Sequence, residues 1–275
     1  MSNSSQEIDA NSQRTVTSFK VAYSLCLVTV IGLTIVYIFQ SFYKDFMYVF
    51  SNIVPTLVAG VSVVSSLFAL RRYWYDIRSR LSRTWLCFTL GMLLWFLGEC
   101  GWAVYTMVLN IEIPYPSVAD VFWLSGYVPL FIALLLYVQL LKPAISTKIF
   151  LWATAIDTSI SVMVFSPIII PILLEASGQD LGLTILNLAY PSLDIILFLT
   201  TLLGLLVLTT TRLKGRLGVA WHLMNTAILL NVFGDVAFAH TTSSETYYNG
   251  HPLELLFLYS YIFFTLAFYV HKKEF

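Results

Sequence analysis

Eight solidly apolar runs, each about twenty residues or longer, follow one another along the chain with short polar segments between them. They span Phe19 to Gln40, Tyr48 to Leu70, Thr84 to Leu109, Val118 to Leu141, Ile149 to Leu174, Leu181 to Thr210, Leu217 to His240 and His251 to Val270. A hydrocarbon core of ~30 Å takes roughly 20 residues at a helical rise of ~1.5 Å, so each run predicts a transmembrane helix. The apolar positions do not alternate, which excludes membrane strands. The predicted fold is an all-α polytopic membrane protein with about eight transmembrane helices. The sixth run is long for one straight span and contains Pro191. It reads either as one helix or as an interfacial segment followed by a helix that starts near the proline. The polar opening, residues 1–18, predicts a short disordered tail. A single transmembrane domain, 19–270, and a brief end, 271–275, complete the chain.

Composition leaves little for an aqueous domain. Of 275 residues, 58% are hydrophobic and 11% charged, with a mean hydropathy of +0.80, so the lipid bilayer is the expected surrounding partner. The formal net charge of zero gives no basic footprint for nucleic acid. Basic residues give an orientation, because Lys and Arg of short loops stay on the cytoplasmic side. Fourteen of the 15 fall before the first span or after the second, fourth, sixth and eighth, and only Lys44 falls on the other side. Both termini are therefore expected in the cytoplasm, in a multi-pass protein of the cell (plasma) membrane. The first run has no small-residue cleavage site behind it and predicts a retained span. Cys26, Cys87 and Cys100 lie within spans without paired spacing and read as small apolar side chains.

After the leading hairpin, 19–70, one pattern occurs three times, over 84–141, 149–210 and 217–270. A helix with an acid deep in its apolar run is followed by a proline-led helix with an acid near its start. The pairs are Glu99 and Pro116 to Asp120, Asp157 and Pro191 to Asp194, and Asp235 and Pro252 to Glu254. Acid-to-acid separations are 21, 37 and 19, and the outlier fits if Glu175 to Tyr190 is an insertion at the outer surface.

Ser117 and Asp120 form a capping-box pattern after Pro116, and an acid in a first turn complements the helix dipole, so Asp120 and Glu254 have a plain structural reading. Glu99, Asp157 and Asp235 lie too deep to cap anything. A carboxylate inside the membrane costs about 3 kcal/mol on insertion scales, which directs such residues to a cavity, a relay or a polar network. No basic residue lies at comparable depth. Glu99 and Asp235 stand about 22 and 27 Å along their helices from the cytoplasmic ends, hence in the outer half. The expectation is one acidic cavity opening outward, lined by Glu99, Asp120, Asp194, Asp235 and Glu254, with Asp157 deeper. Trp102, Tyr115, Trp123 and Tyr190 would form its aromatic rim, or equally an interfacial belt. Protonated carboxyls, ordered water or a bound cation would satisfy it. The sequence does not specify a metal, and no cofactor is expected: Gly32, Gly60 and Gly91 form no nucleotide-binding loop and suit helix packing.

The stretch Pro116 to Leu130 (PSVADVFWLSGYVPL), the later Ala189 to Asp194 (AYPSLD) and Trp95 and Trp102 around Gly98-Glu99 carry a resemblance. Over about Thr84 to Val270 the chain resembles the membrane-embedded N-terminal regions of certain bacterial diguanylate cyclases and phosphodiesterases. That resemblance implies a sensor and transfers no ligand or site residues. The glycine-leucine pair expected after Pro129 is replaced by Ile132-Ala133, and no nucleotide-cyclising domain occurs before Phe275. A stand-alone membrane sensor or ligand-binding module, without catalysis of its own and acting through a cytoplasmic or membrane partner, is the leading expectation. The segment Arg71 to Arg83 offers a handle for such a partner, although positive-inside retention explains it fully. A proton or small-cation transporter is the alternative, weakened because the repeats are parallel where many transporters have inverted ones. An intramembrane lipid hydrolase built on His240, His251, Asp235 and Glu254 rests on spacing alone.

Overall fold

In the computed structural model the described residues are 2–76, 78–111, 113–141, 145–175, 181–211 and 216–274. They form eight α-helices: α1 (Ser2–Ile38), α2 (Lys44–Leu70), α3 (Arg80–Ala103), α4 (Val118–Leu141), α5 (Thr147–Glu175), α6 (Leu181–Thr211), α7 (Arg216–Ser243) and α8 (Glu254–Glu274). Each contains a stretch long and apolar enough to cross a membrane, and there is no strand among the described residues. Short 3-10 turns, Gln40–Phe42 and Arg71–Asp76, follow α1 and α2, and α3 ends in a π-helical turn, Val104–Val108. Lys142, Arg212, Lys214 and residues 176–180 of the expected insertion lie outside the described residues.

One expectation is corrected and one open alternative is closed. The polar stretch read as a disordered tail continues α1 as helix from Ser2, since extending a helix beyond a formed span adds one hydrogen bond per residue without a new nucleation cost. Pro191 does not begin a helix: α6 is continuous from Leu181, with the proline inside it. Proline removes one backbone donor and tends to bend a helix, but neighbouring helices hold such bends in membranes.

Each proline-led helix packs on the helix before it, α4 on α3, α6 on α5 and α8 on α7, while α2 lies against α3 and α8. The α3–α4 contact is made by small residues facing indoles. A Cβ on Gly98 would stand 2.4 Å from the Trp123 ring, and one on Gly126 would stand 2.4 Å from Trp95. Only glycine admits this approach, and in lipid close packing drives helix association where water cannot. Gly234 receives Phe257 in the same way between α7 and α8, at 2.7 Å. The main core joins α2, α3, α4, α6, α7 and α8, with Phe165 from α5, around Trp85, Trp95, Tyr127, Leu130 and Phe264. Helices α1 and α5 are the least enclosed spans. α1 rests chiefly on α8 and α5 chiefly on α6.

Candidate functional site

Five of the six predicted acids gather in one layer, in the half of the bundle nearer the α3–α4 and α7–α8 connections, and phenols meet every one of them. At the start of α4, Ser117 caps the helix reciprocally with Asp120. Its backbone N–H and hydroxyl donate to Asp120 Oδ2 at 2.7 Å each, and its Oγ accepts the Asp120 N–H at 3.4 Å. Asp120 Oδ1 accepts the Tyr190 hydroxyl of α6 at 2.9 Å. Glu254 opens α8 and accepts Tyr37 of α1 at 2.8 Å, Tyr247 at 3.0 Å and the Gly250 backbone N–H at 2.8 Å. Both first-turn acids therefore fill their capping role and also join neighbouring helices.

The deeper acids are paired across helices. Tyr261 of α8 donates to Glu99 Oε1 at 2.8 Å. The Tyr127 hydroxyl of α4 lies 2.8 Å from Asp194 Oδ1 of α6 and 2.8 Å from Asp235 Oδ2 of α7. Asn231, one turn before Asp235, donates to that same Oδ2 at 2.8 Å. Glu99 is near enough to Glu254 and Asp235 for their charges to interact. Asp194 is almost fully buried, at 1% exposure, whereas Glu99 and Asp235 are half-buried.

Asp157 does not join them. It is buried in α5, and its Oδ1 has no hydrogen-bond partner among the described residues. The symmetry of the sequence pattern placed it with the others, but α5 sits at the edge of the bundle, packed on α6, and its acid is separated from the layer. Tyrosine hydroxyls reach directly onto the other five. A groove of about 790 Å³ lies between α1, α2 and α8, and a space of about 120 Å³ between α4 and α6 has Tyr127 on its wall. Neither is lined by any of the six acids.

The expected aromatic rim divides. Trp123 packs over Gly98, and its backbone carbonyl accepts the Trp95 indole N–H at 3.2 Å. Trp102 donates to Asn52 of α2 at 2.8 Å, and Tyr190 reaches Asp120. Tyr115 points elsewhere and donates to Asn187 of α6 at 2.7 Å. Burial, and then the nearby Asp120 charge, pushes the Tyr115 phenol up to about 12. In the α7–α8 connection, burial and then Glu254 push the Tyr247 phenol upward, and burial lowers His251. His251 Nδ1 accepts the Leu253 N–H at 3.2 Å. Glu254 and Asp235 accept hydrogen bonds from phenols, an asparagine and a backbone N–H. Among the described residues no group of three or more His, Cys, Asp or Glu is placed to hold a metal ion.

The tyrosines missed in the sequence reading have a regular position. Tyr127 and Tyr261 each follow the first-turn acid of their helix by seven residues, two turns on the same face. Their contacts are crossed: Tyr127 reaches the acid of α7, and Tyr261 reaches the acid of α3. The opposite half of the bundle repeats the exchange. Trp85 and Trp221 precede Glu99 and Asp235 by 14 residues, and Tyr137 and His271 follow Asp120 and Glu254 by 17. Tyr137 stacks on Trp221 at 3.6 Å, His271 stacks on Trp85 at 3.9 Å, and the two indoles meet at 5.3 Å. Reciprocity of this kind, in which each contact is returned by its counterpart, marks a twofold relation between α3–α4 and α7–α8. The α5–α6 hairpin lacks it, with Thr201 in the place of the tyrosine. Comparison of the chain with known protein families, with curated proteins and with solved structures gives no match.

Proposed function

We propose that this chain is a multi-pass sensor of the cell membrane that holds exchangeable protons, or a small cation in their place, and passes its state to a partner protein. The observation that carries this reading is Tyr127, with two carboxylates at 2.8 Å from one hydroxyl. A phenol has a single hydrogen, so it satisfies only one of the two contacts. The other needs a hydrogen on a carboxyl or a cation between the oxygens, because two buried carboxylates left facing each other are costly. Gain or loss of that one particle changes the bonding of α4, α6 and α7 together, which is how local occupancy becomes a rearrangement of helices.

Three further features support a sensor over a conduit. Five of the six carboxylates lie in one half of the bundle, and the other half is filled along the twofold by the stack of Trp85, Trp221, Tyr137 and His271. The repeated hairpins run in the same direction, unlike inverted transporter repeats. The resemblance of residues 84–270 to cyclase-linked membrane regions has the same implication. With the basic loops in the cytoplasm, the carboxylate layer faces outward, and both termini lie where a cytoplasmic partner is reached.

Infrared difference spectra of the purified protein in nanodiscs test the proposal. A protonated-carboxyl band that shifts on labelling aspartate with 13C and is lost in Asp194→Asn or Asp235→Asn is expected. A band that survives both substitutions removes the basis of the reading. The transport alternative is measured with the same protein in liposomes containing a pH-sensitive dye. The sensor should leave a pH gradient as long-lived as in protein-free liposomes, and faster decay that Asp235→Asn abolishes makes the protein a transporter.

A further inference from the structure

Over its first turns in the membrane α1 rests on α8, and a groove of about 790 Å³ lies there between α1, α8 and α2. Val21, Ala22 and Leu25 of α1 form one wall, Leu266 and Tyr269 of α8 the floor, and Ser65 of α2 the other side. Val21 and Leu25 are 61% and 65% exposed, so this space opens laterally onto the bilayer. Along α1 it runs from Thr17 to Cys26, about 14 Å at the helical rise, which is close to the depth of one leaflet. A partner helix would need contact through the whole membrane. A lipid chain needs only one leaflet.

One end of the groove is basic. Lys272 Nζ lies 4.4 Å over the ring of Phe68, one turn beyond Ser65 on α2. Arg72 Nη1 donates to the Lys272 carbonyl at 3.3 Å, which holds a guanidinium beside that ammonium. Lys20, Arg71, Arg72 and Lys272 are all exposed here. At this end of α1, α2 and α8 and the turn after α2 the sequence places the acids Glu7, Asp9, Asp76 and Glu274 against the bases Arg14, Lys20, Arg71, Arg72, Lys272 and Lys273, so positive charge predominates. An apolar slot one leaflet deep below a cationic rim is complementary to one molecule in particular. We propose that the groove binds an anionic phospholipid, with one acyl chain along Val21 and Leu25 and its phosphate at Lys272 and Arg72. The long stems of these side chains cover apolar surface while their charges stay at the interface.

The test uses the full chain in mild detergent, offered equal amounts of phosphatidylglycerol and phosphatidylcholine with identical chains and examined by native mass spectrometry. One phosphatidylglycerol should be retained in preference. Substituting Lys272→Ala with Arg72→Ala should lower that preference about fivefold per charge removed. Ala22→Trp, which fills the slot and leaves the rim intact, should remove the retained lipid of either kind. Equal retention of the two lipids, retention of neither, or an unchanged preference in the double variant overturns the proposal, as does a folded Ala22→Trp protein that keeps its phosphatidylglycerol. The rim substitutions lie at the exposed end of the bundle and decide the question even if the tryptophan variant fails to fold.

Discussion

A phenylalanine at position 127 would keep the ring that packs edge-on against Trp95 and remove the hydroxyl shared by Asp194 and Asp235. Tyr127→Phe should therefore lower stability by about 1–3 kcal/mol, the usual cost of leaving a buried polar group without its partner. Tyr261→Phe should do the same through Glu99, and thermal unfolding in detergent compares the two. At the start of α4, Ser117→Ala removes the side-chain half of a cap and should cost about 1 kcal/mol in the same assay. His251 gives a pH dependence of definite sign. Burial lowers its folded-state pKa, so the folded protein binds this proton less well than the unfolded chain. Stability should then fall as pH drops below about 6.5. His251→Asn should flatten that part of the profile, and a slope that persists unchanged assigns it to other groups. The acids were legible in the sequence because a charge in an apolar run has few innocent explanations. Their tyrosine partners were not, because aromatic residues in spans read equally well as an interfacial belt. The available signal was the seven-residue step from Asp120 to Tyr127 and from Glu254 to Tyr261.

Helix α3 meets α4 where glycine faces indole, and the closeness of that meeting fixes the depth of Glu99 relative to Asp120. A Cβ at Gly98 would overlap the Trp123 ring at 2.4 Å. Gly98→Leu should accordingly destabilise the protein by at least about 1–3 kcal/mol through overpacking, whereas Gly32→Ala, with nothing within 4 Å of its added Cβ, should leave the melting temperature close to that of the parent. The eight spans themselves were readable because hydrocarbon thickness dictates their length. What the periodicity could not supply was the fate of Pro191 and of the opening stretch. Pro191 resembles the helix-starting Pro116 locally, but α6 already begins at Leu181. Residues 2–16 are polar by composition and are helical as a continuation of α1. Asp157 escaped for a related reason. A sequence repeat predicts equivalent local structure, whereas its neighbours depend on where that copy stands in the bundle, and α5 stands at the edge.

Taken whole, the molecule has two chemically distinct ends, a carboxylate–phenol layer at one and stacked aromatics with a basic rim at the other. If the basic end faces the cytoplasm, reporter fusions after Arg78 and Lys148 should show cytoplasmic activity and a fusion at Thr242 should show outer-side activity, and the reverse pattern inverts the orientation. Loop charge predicts a sidedness that these fusions test; the crossed arrangement of the hairpins had no such signal, since no local pattern states which copy a side chain will touch. That arrangement has a history written into its parity. Two hairpins whose side chains answer each other across a twofold have the contacts of a parallel homodimer, now enclosed in one polypeptide. Each hairpin begins and ends on the same side of the bilayer, so a duplicated gene can be joined end to end without turning either copy over. Whatever is placed between the copies must also cross the membrane an even number of times. The pair α5–α6 meets that condition, and it has been free to lose the tyrosine that the outer two copies keep for one another, while its Asp194 still meets Tyr127.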